Sequence, residues 1–401
     1  MTGLLVIMGS GETAPTMVKP HREILQRCGD LPAVLLDTPY GFQENADDIS
    51  AKAVKYFADS TGRRLSVVGW RTVPEPGLPR ERALAALREA GWLFAGPGSP
   101  TYALRQWTDT EFPAVLTEVL GAGRVVCFAS AAALTLGSHT IPVYEIYKAG
   151  IEPHWVPGLD LFHRATGLPA VLVPHYDNAE GGHHDTRFCY LGERRLSALE
   201  PALPAEAFII GIDEHTAGLF DLATRSVRVV GNGGLTLRRG GRSQWWPAGT
   251  TLPFSALAAG SFDAVAAAPE VTAAAEALPP TSLSALTLSV IARFDACYEA
   301  READGCVAAA LDLEQALQDW VADTDVSDER EQARASLRRM LVRLGSFAGP
   351  DRFTPLVAAL VGLRTSARSA KDWALSDALR DVLASAGVTV RDTPAGAEWT
   401  A

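Results

Sequence analysis

The stretch Val125-Val126-Cys127-Phe128-Ala129-Ser130-Ala131-Ala132-Ala133 decides the fold. Five apolar residues run without a break, then give way to small residues around one serine. An unbroken apolar run of this length reads as a strand buried on both faces, and such strands belong to parallel sheets covered by helices. The pattern recurs outward in both directions, at Leu4–Met8, Ala33–Leu36, Leu65–Val68, Trp92–Ala95, Ala170–Val173 and Ala207–Ile210. Helix-length amphipathic stretches separate several of them, as at Ala46–Ala58, where Ile49, Ala53, Val54 and Phe57 fall at helical spacing. Alternating strands and helices predict an α/β domain over residues 1–260, a doubly wound and mostly parallel sheet. From Ala217 to Trp246 the rhythm shortens. Leu219–Leu222, Val227–Val230 and Thr236-Leu237, split by Gly231-Asn232-Gly233-Gly234, predict an antiparallel appendage on the sheet edge.

The chain has 401 residues, too many for one such domain. An alanine- and proline-rich stretch, 261–283, reads as a linker. Beyond it, 284–401 reads as an all-α helical domain, with helices at Leu286–Ala300, Cys306–Val321, Asp328–Leu344, Phe353–Ser366 and Ala370–Ala386 and a strand-like piece at Val388–Val390. Lys plus Arg number 36 against 47 Asp plus Glu, a net charge of −11, which excludes a dominant polyanion-binding surface but leaves room for a local patch. Five scattered cysteines without a CxxC pair speak against a zinc site or a disulfide framework and fit a reducing, cytoplasmic setting. No apolar run is long enough for a membrane helix, and the N-terminus carries no basic leader, so no membrane partner is expected. Assembly into a homo-oligomer is compatible with the composition.

Three segments of the first domain carry chemistry. Gly96-Pro97-Gly98-Ser99-Pro100-Thr101-Tyr102 follows a strand and opens a helix; such a turn presents backbone N–H groups to an oxyanion, or is simply tight. It lacks the Lys-Ser/Thr pair of a phosphate loop. Ser130 sits where a nucleophile elbow would lift a hydroxyl above the sheet, though Phe128 and Ala132 stand where G-x-S-x-G has glycines. The alternative at this point is a buried serine at a helix start. Cys127 is the competing nucleophile, but its place inside the strand favours the core. His175, in Val173-Pro174-His175-Tyr176-Asp177-Asn178, ends another strand, where catalytic groups of open α/β sheets collect. His183 and His184 follow nearby, without the one-turn spacing of a helical metal site. A general-base histidine is the expectation, with no metal and no cofactor.

Taken in order, these segments resemble the cyanophycinase/dipeptidase E group of serine peptidases, which has the class I glutamine amidotransferase-like fold. The resemblance covers roughly residues 1–250 and includes Thr186-Arg187, Arg194-Arg195-Leu196 and Ile210-Gly211-Ile212-Asp213-Glu214. It implies a small peptide or amide substrate and a Ser130–His175 dyad, with Gly98 and Ala131 N–H groups holding the oxyanion. It implies an acidic group orienting the histidine, with Glu145 first and Asp213 and Glu214 as rivals. It also implies substrate contacts from Ser99, Lys148, Asn178 and Arg187, the last two cations of this set, Lys148 and Arg187, meeting an acidic substrate group. His154-Trp155 is a further candidate for the same pocket.

The tail carries a second resemblance. Arg364-x-x-Ala367-Arg368-x-x-Lys371-Asp372-Trp373-Ala374-x-x-Asp377-x-x-Arg380-Asp381, leading to Gly387-Val388-Thr389-Val390 and Trp399, is similar to the C-terminal region of cysteinyl-tRNA synthetase. It implies tRNA as a partner of 284–401. Within the helix, Trp373 and Leu379 are expected to pack inward and Gly387 to end it. The ATP-binding motifs of a synthetase are absent, so the chain is not expected to charge tRNA. Two functions follow as expectations: a serine hydrolase, or a catalytically inactive hydrolase fold joined to a tRNA-associated module.

Overall fold

The computed structural model of the chain describes residues 1–180, 184–259, 282–320, 329–345, 350–393 and 396–400. These fall into two compact units, one up to Ala259 and one from Ser282 onward. The expected linker, 261–283, lies outside the described residues as far as position 281.

Five strands of the first unit run parallel: β1 (Leu4–Met8), β2 (Ala33–Leu36), β3 (Ser66–Val68), β4 (Trp92–Ala95) and β5 (Val125–Ala129). They lie in the order β1-β5-β4-β2-β3. Side chains alternate between two cores. Leu5, Ile7, Leu93, Ala95, Val126 and Phe128 enter one, and Leu4, Val6, Met8, Trp92, Phe94, Val125, Cys127 and Ala129 enter the other. Both faces of β1, β2, β4 and β5 are thus buried, which is why those four strands are apolar throughout rather than alternating, while β3 at the edge exposes Ser66 and Val67.

After β5, β6 (His139–Thr140) and β7 (Val156–Pro157) pair with each other. Then come β8 (Ala170–Val173), β9 (Phe208–Ile212), β10 (Thr216–Asp221), β11 (Ser226–Gly231), β12 (Gly234–Arg239), β13 (Arg242–Pro247) and β14 (Thr251–Pro253). Here the structure departs from one continuous sheet. β10 pairs antiparallel with β1, and β11 and β14 extend that edge. With the free edge of β1 taken, β8 and β9 pair parallel with each other and build a second, four-stranded sheet with β12 and β13. The antiparallel appendage is therefore shared between two sheets. Leu172 and Ile210 of the second sheet enter the same core as Val126 and Phe128, so the two sheets bury one face in common.

The second unit consists of helices Leu283–Glu299, Ala303–Asp319, Glu329–Leu344, Pro350–Ser369 and Trp373–Ser385, followed by a hairpin, β15 (Thr389–Thr393) and β16 (Gly396–Thr400). Asp372 caps the last helix through Leu375 N–H (3.0 Å), and Gly387, at φ 83°, ends it in the left-handed region. Arg364, 2 % exposed, forks onto both oxygens of Asp392 (2.7 and 2.9 Å) and ties the helix Pro350–Ser369 to the hairpin. Leu379 is buried as expected. Trp373 is not: it is 57 % exposed, with the Arg368 guanidinium 5.8 Å above its ring. It opens its helix next to the cap, where no neighbouring element among the described residues covers it.

Candidate active site

Ser130 follows β5 directly and has φ 49°, the left-handed conformation of a strained strand-to-helix turn. The residues replacing the elbow glycines do not obstruct it. Phe128 points away into the core, 5.6 Å from the Trp107 ring, and Ala132 is fully buried with only a methyl group. Cys127 is buried inside β5, and burial pushes its thiol well above the ordinary range, which leaves it no thiolate to react with.

His175 leaves β8 two residues past its end and also sits at φ 49°. Its Nε2 lies 2.9 Å from Ser130 Oγ. Its Nδ1 lies 2.8 Å from Glu214 Oε1. That contact follows from topology: β8 and β9 are parallel with Val173 beside Gly211, so the residues just beyond both ends emerge together. The turn Asp213–His215 carries the chain from β9 in one sheet to β10 in the other, and Glu214 rides on it. Asn178 Nδ2 donates to the same Glu214 oxygen (2.9 Å), and Glu214 N–H donates to Asp177 Oδ1 (2.7 Å). Burial by itself would lower the pKa of His175, but the hydrogen bond and charge of Glu214, with smaller effects of Glu12 and Glu180, carry it above the ordinary value. Burial pushes Glu214 up, and the His175 and Asn178 bonds bring it below the usual carboxylate range.

The other acids named from the sequence have different partners. Glu145, the first choice, accepts from Thr101 Oγ1 (2.6 Å) and makes no contact with His175. Thr101 Oγ1 in turn meets Ser99 Oγ (3.0 Å), which caps the helix Pro100–Trp107 through Tyr102 N–H. Asp213 accepts from Gly234 N–H (2.8 Å) and Trp245 Nε1 (2.9 Å), bracing the turn from below. The proposed cations are also engaged elsewhere. Arg187 forks onto Asp185 (2.9 Å twice) over the Phe188 ring, and Lys148 stands over Tyr144. His154 is an exposed loop residue, and Trp155 donates to the Leu199 carbonyl. Among the described residues, no group of three or more metal-ligating side chains gathers, and no helix is long and apolar enough to cross a membrane. His183 lies outside the described residues.

The Gly96–Ser99 turn is pinned by Ser99 N–H to the Pro39 carbonyl (2.8 Å), and Gly98 (φ 137°) passes so close that a Cβ would fall 2.1 Å from that oxygen. The Gly98 N–H has no acceptor among the described residues, and the Ala131 N–H belongs to a first helical turn, where no intrahelical acceptor exists. Sequence reading missed two neighbours. Tyr190 lies 5.9 Å from the His175 ring and donates to Glu180 (2.9 Å). Glu12 follows β1 in Gly9-Ser10-Gly11-Glu12-Thr13, a glycine loop at a strand end that offered the same signal as the Gly96 turn. The backbone between His175 and Tyr190 is unusual: Phe188, Cys189 and Tyr190 are consecutively left-handed (φ 60°, 55°, 66°). They are held alongside the histidine by Phe188 N–H to the Tyr176 carbonyl (3.0 Å) and Cys189 N–H to the His175 carbonyl (3.1 Å).

Known proteins match the two units separately. The first shares its fold with a peptidase from an acI-B1 Actinobacterium, at a TM-score of 0.52 and 20 % identity, covering 63 % of this chain and 98 % of that one. In the second, residues 351–399 match the cysteinyl-tRNA ligase anticodon binding domain. The cysteine–tRNA ligase of Beutenbergia cavernae is 60 % identical over 45 residues, 11 % of this chain and 10 % of that protein. That of Lactobacillus delbrueckii subsp. bulgaricus is 33 % identical over 140 residues, 32 % and 28 % respectively. The chain thus spans between a tenth and somewhat over a quarter of these ligases. A fold shared with a peptidase and a segment similar to part of cysteine–tRNA ligases thus lie on one polypeptide.

Proposed function

We propose that the chain is a serine hydrolase of the cyanophycinase/dipeptidase E type, cleaving a peptide or amide bond in the cytoplasm. The observation that carries this reading is the relay Ser130 Oγ–His175 Nε2–His175 Nδ1–Glu214, at 2.9 and 2.8 Å. His175 takes the serine proton as Ser130 attacks the carbonyl, and Glu214 stabilises the imidazolium. The Gly98 and Ala131 N–H groups receive the oxyanion. The imidazolium then protonates the leaving amine, and water, activated by the same histidine, releases the acyl group. Labelling with a fluorophosphonate probe tests this: wild type should label and Ser130→Ala should not. Label that persists in the mutant rules out Ser130 as the nucleophile.

A second activity rests on the tail. We propose that residues 284–401 associate with tRNA, supported by the match over 351–399 and by the exposed Trp373 with Arg368 over its ring. An exposed ring beside a guanidinium is a platform on which an unpaired base stacks. Filter binding of the full chain to tRNA across a salt series should give retention that falls as salt rises. Retention without labelling would favour the inactive-hydrolase binding protein. Absence of retention at low salt would leave the hydrolase alone.

A further inference from the structure

We propose that Glu12 is a second acidic group of the site, a positioning residue whose buried carboxyl acts on His175 through space. The inference rests on the hydrolase reading and goes beyond it. Its first support is topological. β5, which ends in Ser130, lies between β1 and β4, with Met8 beside Ala129 and Ala95 beside Phe128. Glu12 leaves the end of β1, yet its Oε1 lies 2.9 Å from where a Cβ on Gly96 would stand, beyond the end of β4. The carboxyl therefore lies beyond the end of β4, beside the strand that ends at Ser130. A Cβ at position 96 would press on it.

The second support is its lack of partners. Glu12 is 1 % exposed, and neither carboxyl oxygen finds a hydrogen-bond donor on another of the described residues, although its backbone carbonyl is held by His21 Nε2 (2.7 Å). A buried carboxyl with no donor from a neighbour has no local reason to be polar, since an apolar residue of its size would cost less there. What it does have is charge coupling to His175. Burial holds the carboxyl above its ordinary range, while its own backbone N–H and the imidazolium charge pull it down. Formation of the imidazolium thus favours ionised Glu12, and ionised Glu12 favours the imidazolium.

The other groups facing the pair are distinct from it. Glu214, Asp213 and His215 come from the crossing turn; Asp177, Asn178 and Glu180 come from the loop after β8; Tyr190 and Cys189 come from the left-handed segment. On the Glu12 side stand His21, Ser10, Thr13 and the buried Cys127. None of these side chains donates to the Glu12 carboxyl.

The test is the pH profile of fluorophosphonate labelling in the full chain, comparing wild type with Glu12→Gln. Labelling requires neutral His175, so its rate falls on the acid side. In Glu12→Gln the influence that raises the histidine is lost, and the acid limb should move to lower pH by roughly one unit and sharpen to a single-proton step. A merely structural role would lower the rate without moving the limb, and superimposed limbs would overturn the inference. Should Glu12→Gln not fold, Glu12→Asp, which keeps the charge but withdraws it from Gly96, should move the limb the same way by less. If wild type does not label at all, the hydrolase reading fails, and the imidazole NMR titration of His175 in the two proteins still decides the coupling.

Discussion

In the first unit the groups proposed to work are hidden: His175 is 5 % exposed and Glu12 1 %. In the second the most conspicuous group, Trp373, stands 57 % exposed above a helix end. Kinship follows the opposite course. The first unit keeps a peptidase's fold at 20 % identity, whereas the second keeps 60 % identity with a ligase over 45 residues. The difference is physical. A buried relay is set by where strand ends and turns place three side chains, and many sequences can fill the surrounding core. In the second unit the likeness lies in the side chains themselves, residue by residue over 45 positions.

The contrast can be broken at its strongest point first. Glu214→Gln keeps the shape of the relay but removes the charge that stabilises the imidazolium, and labelling should slow by about 1,000-fold, with tRNA retention unchanged. Next, Trp373→Ala should weaken tRNA retention by about tenfold, the worth of one stacked base, and leave labelling untouched. Loss of labelling in that variant would mean that the two units are not separable as described. The smallest effect belongs to Glu145→Gln, which should change the labelling rate by no more than about threefold, because Glu145 supports Thr101 rather than the histidine. A larger loss would return Glu145 to the relay.

Much of this was legible beforehand. Unbroken apolar runs give the five parallel strands, and Ser130 and His175 stand out because each follows such a run directly. What the chain does not display is which acid completes the relay. Glu145 lies close to Ser130 in sequence, but the meeting of His175 and Glu214 depends on β8 and β9 being parallel neighbours in register. The same holds for the second sheet: nothing local to β8 says that β10 has already taken the free edge of β1. Arg187 looked available for a substrate carboxylate, and only the fold reveals its fork closed on Asp185, two residues away. Trp373 was assigned inward on residue type, which tells nothing about whether a neighbour covers it.

The left-handed residues around the dyad have a bearing on heat. Ser130, His175 and the run Phe188–Tyr190 are all conformations that a side chain opposes, each costing on the order of 1–2 kcal/mol, and the surrounding sheets hold them in place. Restraint of that kind fails locally before it fails globally. Warming the protein should therefore silence the proposed site while the secondary structure is still intact, making its working temperature a property of these few taut turns rather than of the core.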